Sequence, residues 1–341
     1  MKRENCFDFL RFAFAFNVVL GHLTVIAVFP QLAQYQFAFD TYLSVTGFFV
    51  ISGFLIAQSY ERSTLKSYFI KRAKRLLPAY WFVVLTCAFG LVTFSSLSAS
   101  EYYFSKDWWE YLGANMCFLN FLHPSLPGVF DHPLINDTSV NPALWTLKIE
   151  VGFYLIIPLL IYGIRKCKQP WIVLLVIYVL AVIYRVGLHT YGELTQRYMY
   201  IFLARQLPGF MSYFAVGMAG YMYKELFLRT KSYWIIPAVI LFAVEYYFGL
   251  EIAKPLCWGI IVLWCAYSLP ALNNFAKYGD ISYGIYIYHG PLLKILLSLG
   301  IFTTIGVWQA SLLYIACVII VGFASWHILE NRFLKRGKIT P

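Results

Sequence analysis

An all-α, polytopic membrane protein with about ten transmembrane helices is the fold class this sequence predicts, on three observations. Of 341 residues, 60% are hydrophobic and 20% aromatic, while only 13% are charged, about half the charged share of a soluble globular domain. The apolar residues come in blocks of about 20, the length a helix needs to cross a bilayer core of roughly 30 Å. Basic residues gather in alternate connections, as the positive-inside rule requires. The expected spans are 7–29, 41–59, 78–94, 143–163, 171–188, 204–223, 233–249, 254–272, 280–299 and 306–329.

With the N-terminus inside, nineteen Lys and Arg fall in cytoplasmic segments: Lys2 and Arg3, the cluster Arg62–Arg75, Arg165–Lys168, Lys224–Lys231, Lys277 and Arg332–Lys338. Only Lys106, Arg197 and Lys254 fall in outward loops. Both termini are therefore expected in the cytoplasm. The chain 1–341 is expected to form one domain embedded, multi-pass, in the cytoplasmic (inner) membrane.

The same charges bear on function classes. A net charge of +11 suggests nucleic acid in a soluble protein, but here it is distributed as topology demands, so no nucleic-acid partner is expected. The seven cysteines are odd in number and scattered, without Cys-x-x-Cys or Cys/His spacing, so neither a disulfide framework nor a metal site is expected. The first apolar block carries Asp8, Arg11 and His22, which argues against a cleavable signal peptide. The chain stops about a dozen residues after the last span, and no attached soluble domain is expected.

The longest outward connection, about 95–142, is acidic and aromatic, and loops of this length are usually functional or partly structured. Its Tyr102, Tyr103, Trp108 and Trp109 are expected to rest at the membrane interface rather than to stack on a sugar. Its HPLIND stretch sets His132 and Asp137 at a His-x4-Asp spacing, which is close enough to chance, and far enough from the cytosolic side, to be given no role.

Polar groups inside the spans point to a site. Arg11 and His22 are 11 positions apart in RFAFAFNVVLGH, so at about 100° per residue they share one helix face, some 16 Å apart along the axis. A cation at the mouth and a titratable base deep inside suit a long ligand with an anionic head, the shape of an acyl-CoA. The alternative needs no ligand: Arg11 pairs with Asp8 and His22 meets a backbone carbonyl.

In KRAKRLLPAY, Arg72 and Arg75 lie one helical turn apart and offer a fork suited to phosphate, although a basic cluster also satisfies topology alone. Ser52-Gly53 in TGFFVISGFLI allows close backbone approach by a neighbouring helix or by a ligand, helix packing being the commoner reason. WTLKIEVGFY places Glu150 inside an apolar span, with Trp145 as an interfacial anchor and Lys148 and Tyr154 nearby. GDISYGIYIYHG carries His289 beside Tyr283 and Tyr286, a stripe more often packing than chemistry. Arg185, Arg205 and Glu245 are further intramembrane charges whose partners the sequence does not name.

Taken together, FDFLRFAFAFNVVLGH, FFVISGFLI, KRAKRLLPAY, WTLKIEVGFYLIIPLL, SYGIYIYHGP and the closing SWHILENRF with Glu330 resemble the acyltransferase-3 family of integral-membrane O-acyltransferases. The resemblance covers nearly the whole chain. Thr146 stands where the fourth-span motif usually has Ser. The resemblance implies a stand-alone member without an extracytoplasmic hydrolase-like domain. It implies acyl-CoA, foremost acetyl-CoA, as a donor substrate with no tightly bound cofactor, and a cell-surface or lipid-linked carbohydrate as acceptor. It also implies His22 as catalytic histidine with Arg11 as its partner, Arg72 and Arg75 as contacts to the CoA phosphates, with Ser52 and Gly53 beside them, and Glu150 as a further catalytic candidate. Tyr154, Trp145, Tyr283, His289 and Glu330 are further candidates for the site. Whether His22 acts as base or first receives the acyl group stays open. The competing reading is a transporter or flippase of a glycan intermediate that uses the same charges as a relay, but such proteins often show two related halves, which this chain lacks.

Overall fold

A computed structural model describes residues 4–335. Lys2, Arg3, Arg336 and Lys338, which entered the charge count, lie outside the described residues. Among the described residues ten long helices stand where ten spans were expected: α1 (Phe7–Ile26), α2 (Thr41–Glu61), α3 (Leu65–Gly90), α4 (Trp145–Lys166), α5 (Pro170–Thr195), α6 (Leu207–Met222), α7 (Lys224–Tyr247), α8 (Lys254–Ser268), α9 (Ser282–Ser298) and α10 (Val307–Ala324). Seven stretches are long and apolar enough to cross a membrane, or eight if α8 and the segment Pro270–Tyr278, bent from it by 74°, count as one broken span. The two that fall short are α6 and α9, of 16 and 17 residues. Both are buried over most of their length, and a helix that is apolar all round belongs in an interior.

The chain divides into two compact units. One takes the chain up to Leu10 with Val45–Phe69 and Ile149–Phe275; the other takes Arg11–Ser44, Ile70–Lys148 and the described residues from Ala276 onward.

In the first unit, α2 meets α6 at glycines. A Cβ on Gly53 would overlap the Phe214 carbonyl, and one on Gly217 would overlap the Val50 carbonyl. Without a hydrophobic driving force between helices in lipid, such close backbone approach supplies the packing. Gly53 thus takes the helix-packing reading. We expect Gly53→Leu to destabilise the protein by about 1–3 kcal/mol through overpacking, measurable as a lower melting temperature in detergent.

Buried charges in this unit are accounted for locally. The Arg185 guanidinium donates to the Gly209 carbonyl at 2.9 Å and to the Ser212 hydroxyl at 2.9 Å, and its Nε lies 2.7 Å from Glu251. Glu245 accepts from the backbone N–H groups of Ala253 and Lys254 at 2.9 and 2.7 Å, a carboxylate at the start of α8, where the first N–H groups have no partner within the helix.

In the second unit, the 95–142 connection is folded rather than loose. It forms the short helices Ala99–Phe104 and Lys106–Met116, the first opened by a Ser98–Glu101 capping box. Tyr102 and Trp108 donate to the Ala88 carbonyl at 3.0 and 2.8 Å, and Tyr103 donates to that of Phe89 at 2.8 Å. Three of the four aromatics expected at an interface therefore serve the last turn of α3, while Trp109 stays 61% exposed. Close glycine packing recurs between α9 and α10, where Gly284 faces Gly322.

Candidate functional site

The polar groups of the second unit line up along α9. Two residues before its start, Asp280 divides its oxygens. Oδ1 accepts from the Ser282 hydroxyl at 2.5 Å and its N–H at 3.3 Å, fixing the helix start. Oδ2 takes the guanidinium of Arg75 at 2.5 Å and that of Arg11 at 3.2 Å. Arg75 also lies 3.6 Å from Glu330, which closes a π-helical turn, Ser325–Glu330, and accepts from the Ser325 hydroxyl at 3.0 Å. Such π-turns are rare and often mark functional positions. The rings of Tyr283 and Trp326 flank the Arg75 guanidinium at 6.0 and 5.7 Å, within cation–π range. Gly279, at φ +137°, admits this arrangement, since a Cβ there would collide with the Trp326 indole. Tyr283 also donates to the Leu76 carbonyl of α3 at 3.0 Å.

Two to three turns further along α9 stands His289, with no exposed surface. Its Nε2 lies 2.7 Å from Nδ1 of His22, and its own Nδ1 lies 2.8 Å from the Tyr286 carbonyl. A carbonyl can only accept, so the His289 Nδ1 carries the proton; in a neutral ring Nε2 is then an acceptor. His22 must therefore donate through Nδ1, which leaves its Nε2 as a bare lone pair. The tautomers follow from the hydrogen-bond network. His22 retains partial exposure, so the half-open ring carries the free nitrogen and the sealed ring orients it.

Beyond the pair, Lys294 is fully buried. It meets Asp137 at 3.0 Å and donates to the Ser139 carbonyl. Burial alone would raise the Asp137 carboxyl, but Lys294 and Ser139 hold it below its ordinary range. On the same side, Thr146 shares a 2.7 Å hydrogen bond with the Tyr286 hydroxyl, so the Thr at this position keeps a hydroxyl contact.

The structure thus brings together Arg11, Arg75, Tyr283 and Glu330 at one end, and His22 with His289 further in. The basic fork expected to greet phosphates is engaged differently at its two members. Arg75 is held by Asp280 and Glu330, while Arg72 is partly exposed on α3. Glu150 and Tyr154 belong to the first unit, where the Tyr154 hydroxyl donates to Glu150 in a short contact. Ser52 and Gly53 lie there too. Trp145 opens α4, and Lys148 sits 3.8 Å over the Phe121 ring.

Sequence reasoning missed Asp280, Lys294 and the partnership of His289. Lys294 carries the same signal that singled out Arg11, a charge within an apolar block. Asp137 had been set aside with His132 as a spacing coincidence. In the structure Asp137 is engaged by Ser139 and Lys294, while His132 accepts from the Leu134 N–H.

A helical membrane protein with a paired histidine deep among its helices has features of an integral-membrane acyltransferase, and the sequence comparisons agree on the family. The chain belongs to the acyltransferase-3 family, whose sequence model, described as an acyltransferase domain, matches residues 4–329. It is 24% identical to nodulation protein 10 of Rhizobium leguminosarum bv. viciae, with 97% of this chain and 94% of that protein covered. It is also 24% identical to an O-acetyl transferase of Shigella phage Sf6, covering 99% and 98%. The peptidoglycan O-acetyltransferase OatA of Listeria monocytogenes is 24% identical over 94% of this chain but only 56% of its own length. No solved structure matches.

Proposed function

We propose that this membrane acyltransferase moves an acetyl group from cytosolic acetyl-CoA to a hydroxyl of a cell-surface or lipid-linked carbohydrate, with His22 as the group that does the chemistry. The single observation that carries this reading is the 2.7 Å contact between His22 Nδ1 and His289 Nε2, which leaves His22 Nε2 bare. A bare imidazole nitrogen within hydrogen-bond reach of a hydroxyl suits removal of its proton. As the hydroxyl oxygen attacks the thioester carbonyl, its proton passes to Nε2. The C–S bond then breaks, and the same proton passes to the departing thiolate. Throughout, the Nδ1–H bond to His289 keeps the ring in place and shares the charge that forms on it.

The same nitrogen also suits direct attack on the thioester, in which case the acyl group rests on His22 before the hydroxyl takes it. The long outer connection and the names of two relatives, which acetylate oxygens, support a carbohydrate acceptor. Both termini in the cytoplasm and placement in the cytoplasmic membrane belong to this proposal, and rest on the distribution of Lys and Arg. Arg72 is the contact we assign to the CoA phosphates. Arg75 joins it only when Asp280 and Glu330 release it.

The test gives membrane vesicles acetyl-CoA labelled in the acetyl group and follows label into glycan and lipid-linked sugar fractions. Label in either fraction is expected. Label that stays in acetyl-CoA, in vesicles that hold both the protein and its acceptors, would contradict the proposal. Replacing Arg72 by Met is expected to raise the KM for acetyl-CoA roughly tenfold through loss of a charge-assisted phosphate contact, with kcat nearly unchanged.

A further inference from the structure

We propose that Asn141 is a positioning residue of the transfer site: its side-chain amide supplies the hydrogen bond that Pro291 withholds from α9, and so holds His289 where His22 meets it. The inference rests on the reading of His22 and His289 given above.

Pro291 lies inside α9 and has no N–H, so the carbonyl four residues earlier, that of Ile287, loses its helical donor. A buried carbonyl without a partner is costly. Here Asn141 Nδ2 donates to it at 2.7 Å, from a side chain only 6% exposed. The other half of the amide is fixed as well, because Asn141 Oδ1 accepts from the Ala143 N–H at 3.3 Å. The orientation of the amide is thereby determined, nitrogen toward the carbonyl and oxygen toward the N–H.

The break in the helix ladder brackets His289, which stands between Ile287 and Pro291. Gly290 lets the strap close on it, for a Cβ at Gly290 would come within 3.0 Å of Pro142 and 3.1 Å of the Asn141 oxygen. The same stretch of chain reaches α9 again through Thr146 on Tyr286 and through Asp137 and Ser139 on Lys294. Its preceding residues hold the end of α1. The Asn136 N–H donates to the Ile26 carbonyl at 2.9 Å, and the Val28 N–H donates to the Leu134 carbonyl at 3.1 Å. Residues 134–146 therefore fasten α1 one turn beyond His22 and α9 on both sides of His289. One strap sets the separation of the two rings.

The device recurs in the first unit. Pro158 lies inside α4, and the carbonyl four residues before it, that of Tyr154, accepts from the Tyr68 hydroxyl at 3.1 Å. A distant side chain again replaces the hydrogen bond that a proline removes.

The test is a double-mutant cycle on the full-length protein in detergent, with labelled acetyl-CoA as donor and kcat and KM read separately. Asn141→Ala is expected to lower kcat ~10-fold, in keeping with the sensitivity of transfer to small misplacements, with KM for acetyl-CoA held within ~2-fold. Pro291→Ala restores an N–H to Ile287, so in that background the Asn141 substitution is expected to cost less than ~2-fold in kcat, as the coupling of a shared partner requires. An equal loss in both backgrounds, or a loss confined to KM, would overturn the inference. His22→Ala is run beside them. Transfer lost in His22→Ala but untouched by Asn141→Ala sinks the positioning role alone. Transfer absent from the wild type sinks the reading beneath it, and the inference with it.

Discussion

Transfer by His22→Ala is expected to fall at least ~10³-fold below wild type at matched protein, because general acid–base assistance from a positioned side chain is worth roughly 10²–10⁴-fold. The argument does not depend on which route the acyl group takes. In either route the bare Nε2 is the only nitrogen of the pair turned away from a fixed partner, since His289 gives one nitrogen to the Tyr286 carbonyl and the other to His22. His289→Ala is expected to cost less, about 10- to 100-fold, by analogy with the loss of a partner that orients a metal-bound histidine. In that variant His22 keeps its nitrogens but loses the contact that assigns its proton to Nδ1. Rates measured for the two variants side by side check the order. A His289→Ala enzyme more impaired than His22→Ala would mean that the roles are reversed.

The second large effect is expected at Asp280. One carboxylate oxygen holds both Arg11 and Arg75, and the side chain is only 12% exposed. Removing one partner from a buried ion pair leaves an uncompensated charge and costs about 3–5 kcal/mol. Both arginines keep a fifth or more of their surface exposed, so Asp280→Asn is expected near the low end, about 3 kcal/mol. Thermal unfolding in detergent measures this as a clear drop in melting temperature. An unchanged melting temperature would mean that the cluster contributes little to holding α1, α3 and the start of α9 together.

The same cluster suggests how donor binding connects to the rest of the site. Arg75 is held between two carboxylates and two aromatic rings, so a phosphate that draws it away must compete with Asp280 and Glu330. Under the proposed donor binding, that competition would make Asp280 and Glu330 part of donor affinity without touching the donor.

The sequence revealed long-range order unevenly, and the reasons are physical. Helix positions were legible because a bilayer sets the length of an apolar block, and α1, α2 and α4 begin within two residues of the expected edges. Packing-dependent features were not. The short α6 and α9 read as spans like the others, and only their burial distinguishes them. The shared face of Arg11 and His22 followed from helical periodicity alone. Their partners did not, because Asp280 and His289 lie 269 and 267 residues away along the chain and nothing local ties them to α1. Asp280 was hidden further by its position, since an acid before Ser282 reads as a helix start, which it also is. At Gly53 the sequence left close approach by a helix or by a ligand open, and the structure sets the Phe214 carbonyl against it. The hydrogen bonds of the aromatics at 102, 103 and 108 to α3 were not legible, because a hydropathy pattern does not show where a carbonyl lacks a partner.

The central claim is that His22 presents an unprotonated Nε2 because its Nδ1–H donates a hydrogen bond to His289 Nε2. Nitrogen-15 NMR of the protein labelled at its six histidines tests it most directly, with signals assigned by their loss in His22→Gln and His289→Gln. Protonated and bare nitrogens of a neutral imidazole are distinct environments. The account predicts a proton on Nδ1 and a bare Nε2 in both rings. A His22 ring protonated at Nε2 would contradict it.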